Sequence, residues 1–180
     1  MELQTAIENR RSIRCYDASK KVTEEELRTL IAAALQAPSW KNSQTGRYSV
    51  VYSEEKKAQV LEKCLPPFNA KNAAGAAALI VTSYVKNWSG YDRENGTPAN
   101  EVGNGWGMYD LGLQNENLLL KAKEMGMDTL VMGIRDAAAL RELLDIDETQ
   151  EIASVIALGY AAQEPRPRVR KTVDEIARFF

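Results

Sequence analysis

The 180-residue chain contains no histidine. That removes the commonest neutral metal ligand and the commonest general base, and with them every mechanism that pairs serine or cysteine with an imidazole. Cysteine is almost as scarce. Cys15 and Cys64 are too few and too far apart in sequence for a zinc site or a disulfide framework, and each reads as a small packing residue rather than a nucleophile. Long apolar runs are missing too: the longest, residues 73–84, is interrupted by Gly75, Thr82 and Ser83 and is too short to span a bilayer. Residues 1–14 show neither the apolar core nor the small-residue cleavage pattern of a secretion signal, so the expectation is a cytoplasmic protein that works away from membranes. With 23 basic against 25 acidic residues there is no charge excess to attract nucleic acid. Neither a GxGxxG turn after a strand nor a Walker-type GK[ST] loop is present, which excludes the familiar dinucleotide and P-loop folds.

What is present is a 44% apolar, 27% charged chain of single-domain length, with helical and strand patterns in alternation. Residues 1–9 predict a short helix. Thr23 and Glu26 form a capping box ahead of an apolar stripe at Leu27, Leu30, Ile31 and Ala34, and Pro38 ends that helix. Residues 48–52 and 77–85 predict strands; Ser53 caps a helix over residues 54–64, which Pro66 and Pro67 break. The polar stretch 86–104 is expected to be the most variable or mobile surface, with Trp88 and Tyr91 as candidate lid aromatics. A long helix spans residues 105–125 and stops at Gly126, its stripe including Met108, Leu111, Leu118, Ala122 and Met125. It is either central to the domain or shared with a partner chain. Gly105, Gly107 and Gly112 would each weaken it unless a backbone comes close. Strands at 128–132 and 154–158 flank a helix capped by Asp136, and the chain ends in an apolar patch containing Phe179 and Phe180. Strands separated by helices predict one layered sheet-and-helix domain over residues 1–180.

Two groups of residues carry possible chemistry. Arg10, Ser12 and Arg14 alternate on an extended stretch, and Arg168 and Arg170 repeat that spacing near the other end, beside Arg166 and Lys171. Guanidinium forks and a hydroxyl suit a phosphate, although a run of arginines is also what a solvated surface contains. Ser39, Asn42 and Gln44 lie in a loop rich in small and amide residues. Their donors and acceptors suit the edge of a heterocycle, or else simply cap the loop itself.

Taken in order, RRSIRCY (residues 10–16), APSWKNSQ (37–44), FNAKN (68–72), DTLVMGI (128–134) and IALGYAAQEPRPRVRK (156–171) resemble the nitroreductase family of FMN proteins over nearly the whole chain. The resemblance implies an α+β fold with a mixed, mainly antiparallel sheet surrounded by helices. It also implies a homodimer with FMN at the subunit interface and the C-terminal tail, residues 161–180, packed on the partner. By the same resemblance, Arg10, Arg11, Ser12, Arg168 and Arg170 match the positions around the FMN phosphate, and Arg14 the basic position near the flavin pyrimidine edge. Pro38, Ser39, Asn42 and Gln44 match the loop lining the isoalloxazine and ribityl. Asn69 matches a pyrimidine-edge hydrogen bonder, Met132 and Gly133 the turn whose backbone N–H approaches N5, and Trp40 and Lys41 the substrate face.

The activity so implied is ping-pong hydride transfer from NADH or NADPH through FMN to a nitroaromatic, quinone or related conjugated acceptor, with no metal and no protein nucleophile. A specialised enone reductase, a dehalogenase-like protein and a flavin-storage protein are the alternatives. Two departures stand out. Thr45 and Gly46 replace the proline and aromatic that many relatives carry after the glutamine, which should leave that turn less rigid, and Met132 stands where active relatives often have glutamate.

Overall fold

The computed structural model describes residues 1–165 and 168–180. Its centre is a sheet of four strands: β1 (Gly46–Val51), β2 (Ala78–Val85), β3 (Asp128–Met132) and β4 (Gln150–Gly159), in the order β1-β2-β4-β3. Every ladder between these strands is antiparallel. The mixed character comes from the N-terminal segment, where Ser12 forms a parallel bridge to Thr129 on the outer edge of β3 and the Ile13 N–H donates to the Thr129 carbonyl (3.0 Å).

Strand alternation divides the core in two. Leu79, Val81, Val155 and Ala157 face one layer, while Ala78, Ile80, Ile156 and Leu158 face the other. The first layer is closed by α3 (Glu54–Lys63), α4 (Pro67–Ala73) and α6 (Ala137–Leu144), through residues such as Val60, Ala73 and Leu140. The second is closed by α2 (Glu24–Ala34) and α5 (Gly105–Glu124), through Leu27, Leu30, Leu118 and Ala122. Each large aliphatic side chain so buried contributes about 1.5–3 kcal/mol relative to exposure. The helix α1 (Leu3–Asn9) lies against α5, and a short α7 (Val173–Ile176) sits in the tail. The α+β architecture is therefore the one implied above.

Local signals place most boundaries. The Thr23–Glu26 capping box forms, Ser53 accepts from the Lys56 N–H and Asp136 from the Ala139 N–H, and Gly126 ends α5 with φ of +79°. Three expectations need correction. Pro66 and Pro67 do end α3, but Pro67 also opens α4, because a proline at the first helical position gives up an N–H that had no partner there. Strand β4 is longer than residues 154–158, since it pairs on both sides. Met108 is 44% exposed rather than part of a buried stripe; in its half of α5 the inward face is made by Gly107, Asp110, Leu111 and Gln114.

Candidate functional site

The N-terminal segment leaves α1 at Arg10 and runs along the β3 edge. Ile13 is buried in the core, which fixes the phase of the stretch and leaves Ser12 and Arg14 exposed. The segment is held further on by the Tyr16–Ala161 bridge, by the Ala162 N–H donating to the Cys15 carbonyl (3.0 Å), and by the Tyr16 hydroxyl donating to the Ala157 carbonyl (3.2 Å). Burial pushes the Tyr16 phenol well above its ordinary range. Pairing with residues 160–162 brings the start of the C-terminal tail beside the arginines. The result is one cleft of about 610 Å³ lined by Arg10, Arg11, Ser12, Arg14, Arg168 and Arg170, with Cys15 and Gln163 between them. Arg166 lies outside the described residues.

Sequence neighbours therefore do not set this charge density; the fold brings it together from the two ends of the chain. The Arg10 guanidinium has a carboxylate nearby, Glu116 at 3.6 Å, but that side chain is half exposed and the pair is worth little. Arg11 and Arg14 donate to the backbone carbonyls of Arg10 and Ser12 (2.8 and 3.2 Å), which steadies them without neutralising them. Guanidinium groups around one hydroxyl fit a phosphate dianion, so this donor set suits the phosphate end of FMN.

The loop 38–44 sits elsewhere. It precedes β1, at the opposite edge of the sheet from the arginines, three strand spacings or roughly 14 Å across the sheet. It also lies toward the other end of the strands, since Gly46 is in register with Tyr84 and Glu151 whereas Thr129 is in register with Leu158. A short 3-10 turn, Trp40–Asn42, forms there, and Lys41, Asn42 and Gln44 all take left-handed φ (46°, 53° and 49°). Such backbone costs about 1–2 kcal/mol per non-glycine residue and persists only where the surroundings over-determine it. Ser39 Oγ accepts from the Gln44 N–H (3.0 Å), and the Trp40 N–H donates to Asp110 of α5 (3.0 Å). Pro38, Lys41, Asn42 and Gln44 are exposed. Within one chain, Ser39, Asn42 and Gln44 do not join the arginine cleft.

The remaining candidates belong to other parts of the fold. Asn69, on α4, is buried and donates through Nδ2 to the Ile134 carbonyl (2.8 Å), tying α4 to the turn after β3. The Met132 side chain is in the core, so whatever its residue does outside the core it does through backbone; Gly133 is exposed. Gly46 belongs to the β1 ladder opposite Tyr84 rather than to a turn. A Cβ at Gly46 would come within 1.9 Å of Gln114 Oε1, which also accepts from the Tyr48 hydroxyl at 3.2 Å. The departure at residues 45–46 thus makes room for a buried glutamine. Cys64 is a core residue, its thiol pushed up by burial and then by Asp136. Sequence reasoning missed Asp110, although its place on the face shared with Leu111 and Gln114 marks a charged residue on the inward side of a helix.

The nitroreductase family model matches residues 7–160, and the chain belongs to that family. A protein of Archaeoglobus fulgidus, provisionally named NADH dehydrogenase/NAD(P)H nitroreductase, is 31% identical over 163 residues, covering 88% of this chain and 84% of that protein. The CLA biosynthesis enone reductase of Lactiplantibacillus plantarum is 25% identical over 191 residues, 91% of this chain and 88% of its own. Among solved structures, a nitroreductase-type protein of Exiguobacterium sibiricum crystallised with FMN superposes with a TM-score of 0.88 at 24% identity, over 100% of this chain and 98% of that one. No helix among the described residues is long and apolar enough to cross a membrane.

Proposed function

We propose that the protein is an FMN-dependent oxidoreductase that takes electrons from NADH or NADPH and passes them to a nitroaromatic, quinone or related conjugated acceptor. The observation that carries this is the cleft in which Arg10, Ser12, Arg168 and Arg170 converge from the two ends of the chain. Membership of the nitroreductase family and the FMN in the Exiguobacterium structure support the choice of ligand. Arg10, Arg11, Ser12, Arg168 and Arg170 would hold the phosphate, with Arg14 supplying positive charge beside the ring system. Asn69, Met132 and Gly133 would meet the ring edge. When bound, FMN supplies the hydride-accepting and hydride-donating chemistry. The protein's own residues fix and orient it, and Trp40 and Lys41 shape the face where the acceptor arrives.

We further propose that the working unit is a homodimer. Loop 38–44 and the arginine cleft stand at opposite edges of one sheet, so a second copy is what brings Ser39, Asn42 and Gln44 of one protomer to the arginines of the other. The tail supports this. Val173, Ile176, Phe179 and Phe180 are between 61% and fully exposed in the single chain, an apolar surface that a partner would cover. A cytoplasmic, reducing setting suits the free thiols of Cys15 and Cys64.

The test is the spectrum of the purified protein. A yellow protein is expected, bleached anaerobically by NADH or NADPH and recoloured by a quinone, a nitroaromatic or an enone. The CLA enone reductase relative is the reason for including the last. Arg10→Ala and Arg170→Ala should each weaken FMN retention about 10- to 100-fold, the worth of a charge-assisted hydrogen bond, while apo-protein stability barely changes. A colourless protein that takes up no added FMN, or variants that lose fold and flavin together, would refute the reading.

A further inference from the structure

Asp110 is 2% exposed, and no basic residue pairs with it among the described residues. One of its oxygens, Oδ2, instead accepts from three neutral donors: the Trp40 N–H at 3.0 Å, the Ser89 hydroxyl at 2.5 Å and the Ser43 hydroxyl at 3.4 Å. Trp40 and Ser43 belong to the loop with left-handed backbone, while Ser89 belongs to the polar excursion 86–104. The two segments meet at a single buried carboxyl group on the first turns of α5.

A second set of contacts follows the same link. The Trp40 ring packs on Trp106 with centroids 4.7 Å apart and planes tilted by 48°, and Trp106 meets Tyr109 edge-on at 5.7 Å. Trp106 Nε1 donates to Asn100 in the excursion (2.9 Å), and its ring fills the space beside Gly90, where a Cβ would lie 2.5 Å from it. Trp40 Nε1 has no acceptor among the described residues. Its indole is therefore held by ring packing and by the loop backbone, not by a hydrogen bond of its own. Remove the carboxyl group, and both the loop and the excursion lose a common anchor.

We propose that Asp110 is a positioning residue for the acceptor face: it clamps Trp40 and Lys41 to the 86–104 excursion and so sets which acceptors fit. The proposal rests on the functional reading above, in which Trp40 and Lys41 face the acceptor. Two side-chain deletions, Asp110→Ala and Ser89→Ala, test it on the full-length protein. The first readout is ultraviolet circular dichroism, where closely packed indoles give an exciton couplet; Trp40→Phe identifies the couplet belonging to the Trp40–Trp106 pair. The second is steady-state kinetics with 1,4-benzoquinone and a nitrobenzoate.

The couplet should fall by about half or more in Asp110→Ala and partly in Ser89→Ala. Acceptor KM should rise by about tenfold and the preference between the two acceptors shift, with kcat within about threefold of the parent. A merely structural role would lower kcat with the active fraction and leave KM alone. An unchanged couplet in both variants overturns the proposal, as does a lost couplet with unchanged acceptor KM. Failure of the functional reading shows separately, as a parent protein that takes up no FMN, and the couplet then still decides whether Asp110 holds the loop.

Discussion

Gly107 sits under the ring of Tyr84, and replacing it with alanine tests whether that approach governs how α5 seats on the sheet. A Cβ at this position would lie 2.4 Å from Tyr84 Cδ2 and 2.7 Å from Cε2. Carbon atoms prefer about 3.5–4.0 Å, so the ring or the helix must move by roughly 1 Å. Tyr84 is badly placed to yield: it is 5% exposed, and its backbone is laddered to Gly46 on one side and Glu151 on the other. Overpacking of this kind costs about 1–3 kcal/mol. Alanine's better helix propensity returns about 1 kcal/mol, leaving a net loss of up to about 2 kcal/mol. For a chain of this length that lowers Tm by up to about 8 °C at fixed protein concentration. The decisive comparison is the same substitution in a Tyr84→Ala background. There the obstacle is gone, and Gly107→Ala should stabilise by about 1 kcal/mol. Thermal and urea unfolding followed by circular dichroism measure both. If Gly107→Ala has the same sign with and without the tyrosine ring, the close-approach argument is wrong.

The other predictions concern the interface and alkaline pH. Gly112 has nothing within 4 Å of its would-be Cβ, so in an isolated protomer Gly112→Ala should stabilise by up to about 1 kcal/mol. If a second copy packs closely there, beside exposed Met108 and Tyr109, the same change should instead weaken self-association, which sedimentation or light scattering will show. Tyr16 stays neutral in the fold because burial raises its phenol above the ordinary 10.0. The unfolded chain therefore ionises first: this contribution is intact below pH 10 and lost as pH rises beyond it. Tyr16→Phe should flatten the alkaline stability limb by about 1.4 kcal/mol per pH unit above pH 10, at a cost of about 1 kcal/mol at neutrality for the hydrogen bond to Ala157. A limb of unchanged slope would show that the phenol is not the group responsible.

Much of this was legible in local sequence because local physics decides it. The capping box at Thr23 and Glu26, the serine and aspartate caps, the stop at Gly126 and the strand alternation depend on residues within a turn or two of one another. The ordered motifs also identified the family and, with it, the α+β class. Harder to see was α4, whose opening proline carries the same one-letter signal as a break. Asp110 was invisible in a different way. A charged residue on an inward face is an anomaly in the sequence, but its three donors come from residues 40, 43 and 89, which only folding brings to it.

The sequence by itself determined which residue types were available: arginines at both ends, amides in one loop, and no imidazole anywhere. Their spacing along the chain carried no information about distance between them in space. Tertiary structure decided that. The Ser12–Thr129 and Tyr16–Ala161 bridges bring the two arginine groups to one cleft, and the strand order holds loop 38–44 at the far edge of the same sheet. Sheet order follows from how buried strands share their hydrogen bonds and cover both apolar faces, a property of the whole packed chain rather than of any segment in it.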